Sequence, residues 1–139
     1  MGDTGYSRRM HRPSSASEAH RLLVDSGPVE DGVAIVKLKG EADLHTAPIL
    51  REALNDAIEG LPHTLIVDLT GVTFIDSMML GVLLSATRRA RPQETELRIV
   101  VDDPHVRRIF ELTLLDHVMK LYPSVDVALA SANAPASGD

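Results

Sequence analysis

The sequence predicts an α/β fold, a single mixed sheet of about five strands in the order β-β-α-β-α-β-α-β-α with helices packed against it. Short apolar runs rich in β-branched residues alternate with segments whose apolar residues recur at helical spacing. Residues 65–69 are almost continuously apolar, which is typical of a central strand buried on both faces. Strands that alternate with helices favour a mostly parallel or mixed sheet with right-handed crossovers.

The first half of this order comes from two strand candidates and one amphipathic segment. Residues 21–24 and 33–39 are expected to be strands, and Gly40 is expected to end the second. Thr46 is a candidate N-cap for the first helix, which Gly60 stops. The buried stripe of that helix is predicted from apolar residues at helical spacing: Ala47, Leu50, Leu54 and Ile58.

The middle of the chain supplies the central strand and the second helix. The strand at 65–69 is expected to run into a turn at Thr70 and Gly71. The second helix is expected to span residues 77–91, because Pro92 cannot continue it. Its core face is predicted to be Leu80, Leu83, Leu84 and Thr87, with the remaining apolar residues exposed: Met78, Met79, Val82 and Ala86.

The last part of the chain repeats the alternation. Residues 97–101 are a strand candidate, and Asp103 before Pro104 signals the start of a third helix. Residues 118–122 are the last predicted strand, followed by a short helix over 125–130 that Ser124 can cap. The third helix is expected to bury four residues: Val106, Ile109, Phe110 and Leu114.

Length and composition indicate one aliphatic, acidic domain. The 139 residues carry a formal net charge of −6, with two Phe, two Tyr, no Trp and no Cys. These numbers argue against nucleic acid or an anionic membrane as a partner, and exclude disulfides and thiolate catalysis. We expect a flexible N-terminal arm at 1–19, a folded domain at 20–130 and a flexible tail at 131–139. With neither a membrane-length apolar run nor a signal peptide, the expected location is the cytoplasm.

The strand-to-helix junctions hold the candidate functional residues. Asp76 and Ser77 open the second helix, and both residue types are preferred at helix N-termini because their oxygens accept from unpaired backbone N–H groups. Asp43 follows another strand, and functional residues gather where strands end in open α/β sheets. Ser77 should therefore lie at a helix mouth beside apolar surface, which is typical of a modifiable docking surface. Gly81, inside the helix, favours close approach by another backbone.

Three segments give this chain a resemblance to a known family. They are Gly40-Glu41-Ala42-Asp43 at a strand end, residues 67–77 ending in Asp-Ser, and residues 103–112. Together they resemble the STAS domain, and within it the bacterial anti-sigma factor antagonists. The resemblance implies the STAS fold over residues 20–130 and a role in regulating transcription by partner switching.

The resemblance also implies roles for individual residues. Ser77 corresponds to the serine that an anti-sigma factor phosphorylates, that partner being also an ATP-using serine kinase. The unphosphorylated antagonist binds the anti-sigma factor and frees a sigma factor, and a serine phosphatase resets the phosphorylated form. The expected partner-binding residues are Asp43, Asp76, Ser77, Met78, Met79 and Val82, in a monomer or weak dimer without cofactor or metal.

The chain departs from the family pattern directly after Ser77. Met78 and Met79 stand where the family has Ser or Thr and then Gly, whereas Leu80 and Gly81 match. Two interpretations stay open: the methionines shield Ser77 from a kinase, or they adapt the surface to a different kinase.

Two alternative functions predict different sequence features. A hydrolase would need a histidine held against Ser77 and an oxyanion hole, but no Gly-x-Ser-x-Gly elbow surrounds Ser77 and no phosphate-loop or zinc motif occurs. We therefore do not expect an enzyme. The second alternative is a STAS interaction module that is not phosphorylated, acting as a scaffold or as a subunit of a transport complex.

Overall fold

The computed structural model describes residues 22–132. The predicted arm at 1–19 and most of the predicted tail at 131–139 lie outside the described residues. The elements in chain order are β1 (Leu22–Ser26), β2 (Val33–Ala42), α1 (Ala47–Glu59), β3 (Thr64–Ile75), α2 (Ser77–Ala90), β4 (Glu96–Val100), α3 (Pro104–Leu112), β5 (Lys120–Tyr122) and α4 (Val125–Ala132). Short 3₁₀ segments follow α2 at Arg91–Gln93 and α3 at Leu115–His117.

The five strands form one sheet in the spatial order β1-β2-β3-β4-β5. β1 pairs with β2 in the antiparallel sense, and the other three pairs are parallel. The predicted mixed sheet and the predicted order of elements are therefore confirmed. None of the helices among residues 22–132 is long and apolar enough to cross a membrane.

The two central strands are longer than the sequence analysis predicted. β3 continues through Thr70 and Gly71, so the predicted turn there is wrong, and β2 continues past Gly40. Gly40 has a φ of 114°, a conformation that suits glycine, and register shifts beside it keep the two strands paired. A Cβ on Gly71 would lie 2.9 Å from the carbonyl oxygen of Leu38, so this glycine permits close strand approach rather than a turn.

Alternate residues of β3 face two different layers of helix. Leu65 and Val67 belong to the main core, which α1, α2 and α3 cover, and Phe110 of α3 is fully buried there. Ile66 faces the other side, where Ala128 of α4 packs over it. This alternation is the period of two that a strand imposes on its side chains. The predicted stripe of α1 is confirmed, because Ala47, Leu50, Leu54 and Ile58 are all buried.

Arg98 connects α4 to the sheet. Its guanidinium donates to the carbonyl oxygen of Ala128 at 3.0 Å and lies 5.5 Å from the ring centre of Tyr122. Glu96 binds Arg98 at 3.3 Å and Lys120 at 2.9 Å. Burial raises the pKa of Glu96, but hydrogen bonds and charges from Lys120 and Arg98 outweigh it and hold that pKa below its usual value. The hydrogen bond that Lys120 donates to Glu96 in turn raises the pKa of Lys120.

The helix ends confirm some predictions and correct others. Asp103 caps α3 by accepting from the N–H of His105 at 2.7 Å, and Ser124 accepts from the N–H of Val127 at 3.1 Å at the start of α4. Leu114 was expected in the stripe of α3 but lies beyond the helix, 62% exposed and with a φ of 63°. The stripe therefore ends at Phe110, because α3 ends at Leu112, two residues before Leu114.

Candidate functional site

The ends of β2 and β3 bring Asp43 and Asp76 to one edge of the sheet. Ala42 and Ile75 are paired residues of these parallel strands, and each aspartate follows one of them. The backbone N–H of Asp76 also donates to the carbonyl oxygen of Ala42 at 3.2 Å. The two aspartates, each expected at a strand-to-helix junction, therefore lie at the same edge of the sheet.

Asp76 joins two separate segments with a single carboxylate. One oxygen accepts from the N–H of Met79 at 3.1 Å and so caps α2. The other oxygen accepts from the N–H of Leu44 at 3.1 Å, in the loop between β2 and α1. The half-buried Asp76 side chain therefore fixes the position of that loop relative to the start of α2. Nothing in the local sequence indicates this second bond, since Leu44 is 32 residues earlier.

Asp43 shapes the loop itself. Its Oδ1 accepts from the N–H groups of His45 at 3.0 Å and Thr46 at 3.2 Å. Thr46 is 3% exposed, and its hydroxyl contacts Asp43 and the carbonyl oxygen of Glu41 at 3.2 Å. Thr46 occupies the N-cap position of α1 but makes no side-chain cap bond, so its predicted capping role is wrong. Asp43 instead stabilises the turn that precedes α1.

Ser77 is the first residue of α2 and is exposed. Asp76 rather than Ser77 provides the cap of α2, and the Ser77 hydroxyl has no hydrogen-bond partner within the part of the chain that the structure describes. The N–H groups of Ser77 and Met78 likewise have no acceptor among residues 22–132, as expected at the start of a helix. The hydroxyl is therefore accessible and lies beside two free backbone donors.

The surface of α2 differs from the predicted one. Met79 is 0% exposed, Val82 is 3% exposed and Ala86 is fully buried, so the expectation that these three side chains are exposed is wrong. α2 packs against both the sheet and α1, so its buried arc is wider than a single stripe. Met78, at 43% exposure, is the one of the four predicted exposed residues that meets the expectation.

Two exposed apolar residues near Asp76 were missed by the sequence analysis. Leu44 is 56% exposed in the loop that Asp76 holds, and Phe74 is 49% exposed near the end of β3. With Met78 they form what we call the apolar patch: each lies within two residues of Asp76 or is bonded to it. The sequence does show large apolar residues beside the strand-to-helix junctions, at positions that do not fit the spacing of the buried residues.

Further along α2, Gly81 is exposed rather than covered. A Cβ built on Gly81 would meet no atom within 4 Å, so the predicted close approach of another backbone is wrong within the described domain. Ser85, one turn further along the helix, is also exposed. The outward side of α2 therefore carries small residues at Gly81 and Ser85, before the exposed Arg88 and Arg89 in its last turn.

The side chains around Ser77 at this edge include one histidine, His45. The ring of His45 is exposed and makes no hydrogen bond to Ser77 in the described region. Residues 22–132 contain no cluster of three His, Asp or Glu side chains able to hold a metal ion. What the edge does offer is an accessible hydroxyl, exposed apolar side chains and three carboxylates: Glu41, Asp43 and Asp76.

Comparison with known proteins supplies the family of this domain. The family model of the STAS domain matches residues 27–128, and the chain belongs to that family. Within it, the chain is 33% identical over 99 residues to the anti-sigma-F factor antagonist RsfB of Mycobacterium tuberculosis, covering 71% of this chain and 80% of RsfB.

Solved structures agree with this assignment. An anti-sigma factor antagonist from Mycobacterium paratuberculosis has a TM-score of 0.74 at 31% identity, covering 81% of this chain and 94% of that one. The unphosphorylated form of the Bacillus antagonist SpoIIAA shares the fold, with a TM-score of 0.67 at 23% identity over 78% of this chain and 95% of that one. These names describe antagonists of regulatory proteins rather than enzymes. The suspected family is thus confirmed.

Proposed function

We propose that this protein is an antagonist that binds an anti-sigma factor with serine-kinase activity and so frees a sigma factor. Phosphorylation of Ser77 by that partner ends the interaction, and a serine phosphatase restores it. The observation that carries the proposal is the accessible, unpartnered hydroxyl of Ser77 at the start of α2, in a chain whose relatives are anti-sigma factor antagonists.

The binding step is supported by the composition of the edge. Leu44, Phe74 and Met78 expose apolar area that gains free energy when a partner removes it from water. Asp43 and Asp76 fix the loop and the helix start in one arrangement, so a partner meets a preorganised surface. Met79 and Val82 contribute from beneath, by packing α2 against the sheet, and not by direct contact.

The release step follows from the charge of a phosphoryl group. Phosphorylation adds about −1.5 to −2 charges beside Asp76 and Asp43. The free N–H groups of Ser77 and Met78 can donate to the new oxygens, so the modified domain has no reason to unfold. A partner that covers Ser77 would instead bury this charge, and an uncompensated buried charge costs about 3–5 kcal/mol. That corresponds to a loss of affinity of about 10²- to 4 × 10³-fold.

The test uses the anti-sigma factor that immobilised wild-type chain recovers from the source bacterium. Incubation of the purified pair with ATP, followed by intact-mass analysis, should add one phosphoryl group to wild type and none to Ser77→Ala. Ser77→Glu should bind about 10²-fold more weakly or worse, with an unchanged thermal midpoint. Ser85→Glu is the matched control, because it adds the same charge to an exposed serine two turns along α2.

Three results would reject parts of this proposal. Equal affinities of wild type and Ser77→Glu would remove the switch while leaving the antagonist role intact. Recovery of transport proteins, with no anti-sigma factor, would favour a STAS module with another task. Binding without phosphorylation by ATP would identify a partner that lacks the kinase activity.

A further inference from the structure

We propose that Met78 is a reversible oxidation site whose sulfoxide weakens binding at the edge that carries Ser77. This inference rests on the proposed function and adds a second modification to the same surface. The oxidant is a hydroperoxide such as hydrogen peroxide. The thioether sulfur of Met78 attacks one peroxide oxygen, the O–O bond breaks, sulfur is oxidised to the sulfoxide, and the other oxygen leaves in water.

Burial makes this reaction selective among the methionines that the structure describes. Met78 is 43% exposed, whereas Met79 is 0% exposed and Met119 is 2% exposed. The peroxide has to reach the sulfur atom, so the exposed thioether reacts first and the buried ones react only after unfolding. Adjacent residues of one helix therefore provide a reactive site and its internal control.

The position of Met78 gives the oxidation a consequence. Met78 is the second residue of α2, next to Ser77, and belongs to the apolar patch with Leu44 and Phe74. A sulfoxide is polar, and burying a polar group without a hydrogen bond is unfavourable. A partner contact that covers Met78 should weaken about tenfold to a hundredfold. The fold should survive, because Met78 is not a core residue, unlike Met79.

Oxidation of Met78 and phosphorylation of Ser77 change the surface in different ways. Phosphorylation adds charge beside Asp76, whereas oxidation adds a neutral dipole to a side chain that was apolar. The two modifications therefore act on the same contact through independent terms, and methionine sulfoxide reductases rather than a phosphatase reverse the second.

The experiment treats the full chain with graded hydrogen peroxide, removes the peroxide with catalase and then adds the purified anti-sigma factor. Peptide mapping by mass spectrometry should find Met78 oxidised before Met79 and Met119. The affinity of the wild type should fall about tenfold to a hundredfold and recover after methionine sulfoxide reductases A and B. Met78→Leu, compared with itself before and after peroxide, should show no change, which controls for Met1 and Met10. Met78→Gln should bind more weakly without any peroxide.

Three outcomes overturn the inference and leave the proposed function standing. They are oxidation of Met79 or Met119 ahead of Met78, equal binding by oxidised and untreated wild type, and the same peroxide-dependent loss in Met78→Leu. If the untreated chain binds no anti-sigma factor, the proposed function fails first and the inference fails with it. Measuring the untreated chain before any peroxide step keeps these failures distinguishable.

Discussion

Asp76→Ala should destabilise the domain more than the loss of an ordinary helix cap does. The substitution removes the acceptor for the N–H of Met79, and a lost N-cap costs about 1 kcal/mol. It also removes the acceptor for the N–H of Leu44, and a hydrogen bond contributes about 0.5–1.5 kcal/mol. The free energy of unfolding should therefore fall by about 1.5–2.5 kcal/mol.

The assay is urea unfolding of Asp76→Ala beside Asp103→Ala. Asp103 caps α3 through the N–H of His105 and is the matched control, because it makes a cap without the bond to a distant loop. Asp103→Ala should cost about 1 kcal/mol. The stability of Asp76→Asn should lie between those of wild type and Asp76→Ala, since asparagine caps well but its side chain keeps a single acceptor oxygen.

Hydrogen exchange separates the two bonds. The amide of Leu44 should exchange faster in Asp76→Ala than in wild type, while amides of β4 keep the global rate. Equal destabilisation by Asp76→Ala and Asp103→Ala, together with unchanged exchange at Leu44, would refute the assignment of Asp76 as the link between loop and helix.

Three further substitutions test other parts of the structure. Gly81→Ala should raise the free energy of unfolding by about 0.5–1 kcal/mol, because the new Cβ meets open space inside α2. Gly71→Ala should lower the free energy of unfolding, because its Cβ would lie 2.9 Å from the carbonyl oxygen of Leu38. Paired urea titrations in which both substitutions changed stability with the same sign would contradict this. Glu96→Gln should lose the stability that ion pairing gives Glu96, and the deficit should be greatest between pH 4.5 and 10.5. It should shrink as the pH falls below 4.5, where wild-type Glu96 gains its proton, and as it rises above 10.5, where Lys120 loses one. A deficit that does not vary with pH would be incompatible with that ion pair.

The sequence predicted the order of elements because periodicity reports burial directly. The nearly continuous apolar run at residues 65–69 and the helical spacing in α1 both reflect side chains that face a core, and both predictions were confirmed. The turn predicted at Gly71 was wrong because a glycine occurs both in turns and where two strands approach closely, and only the neighbouring strand distinguishes the two. The predicted exposed side of α2 was wrong because the width of the buried surface of a helix depends on how many elements pack against it.

The candidate site was predictable only in outline. Asp43, Asp76 and Ser77 were singled out because their positions follow strands, and the parallel pairing of β2 with β3 places the two aspartates at one edge. The bond from Leu44 to Asp76 joins residues 32 positions apart, and no local pattern encodes it. The exposure of Phe74 was missed for a similar reason, since it depends on what the rest of the fold leaves uncovered.

The placement of α4 makes it possible to observe binding without touching the surface that binds. Ala128 packs beside Val33, at the start of β2, on the opposite face of the sheet from α2. Val127 is 44% exposed on that helix, and the chain contains no cysteine. A single Val127→Cys substitution would therefore give one thiol for a fluorophore. The fluorescence anisotropy of the dye would rise when a partner binds. The dye itself would lie on the opposite face of the sheet from α2 and away from the edge that carries Ser77.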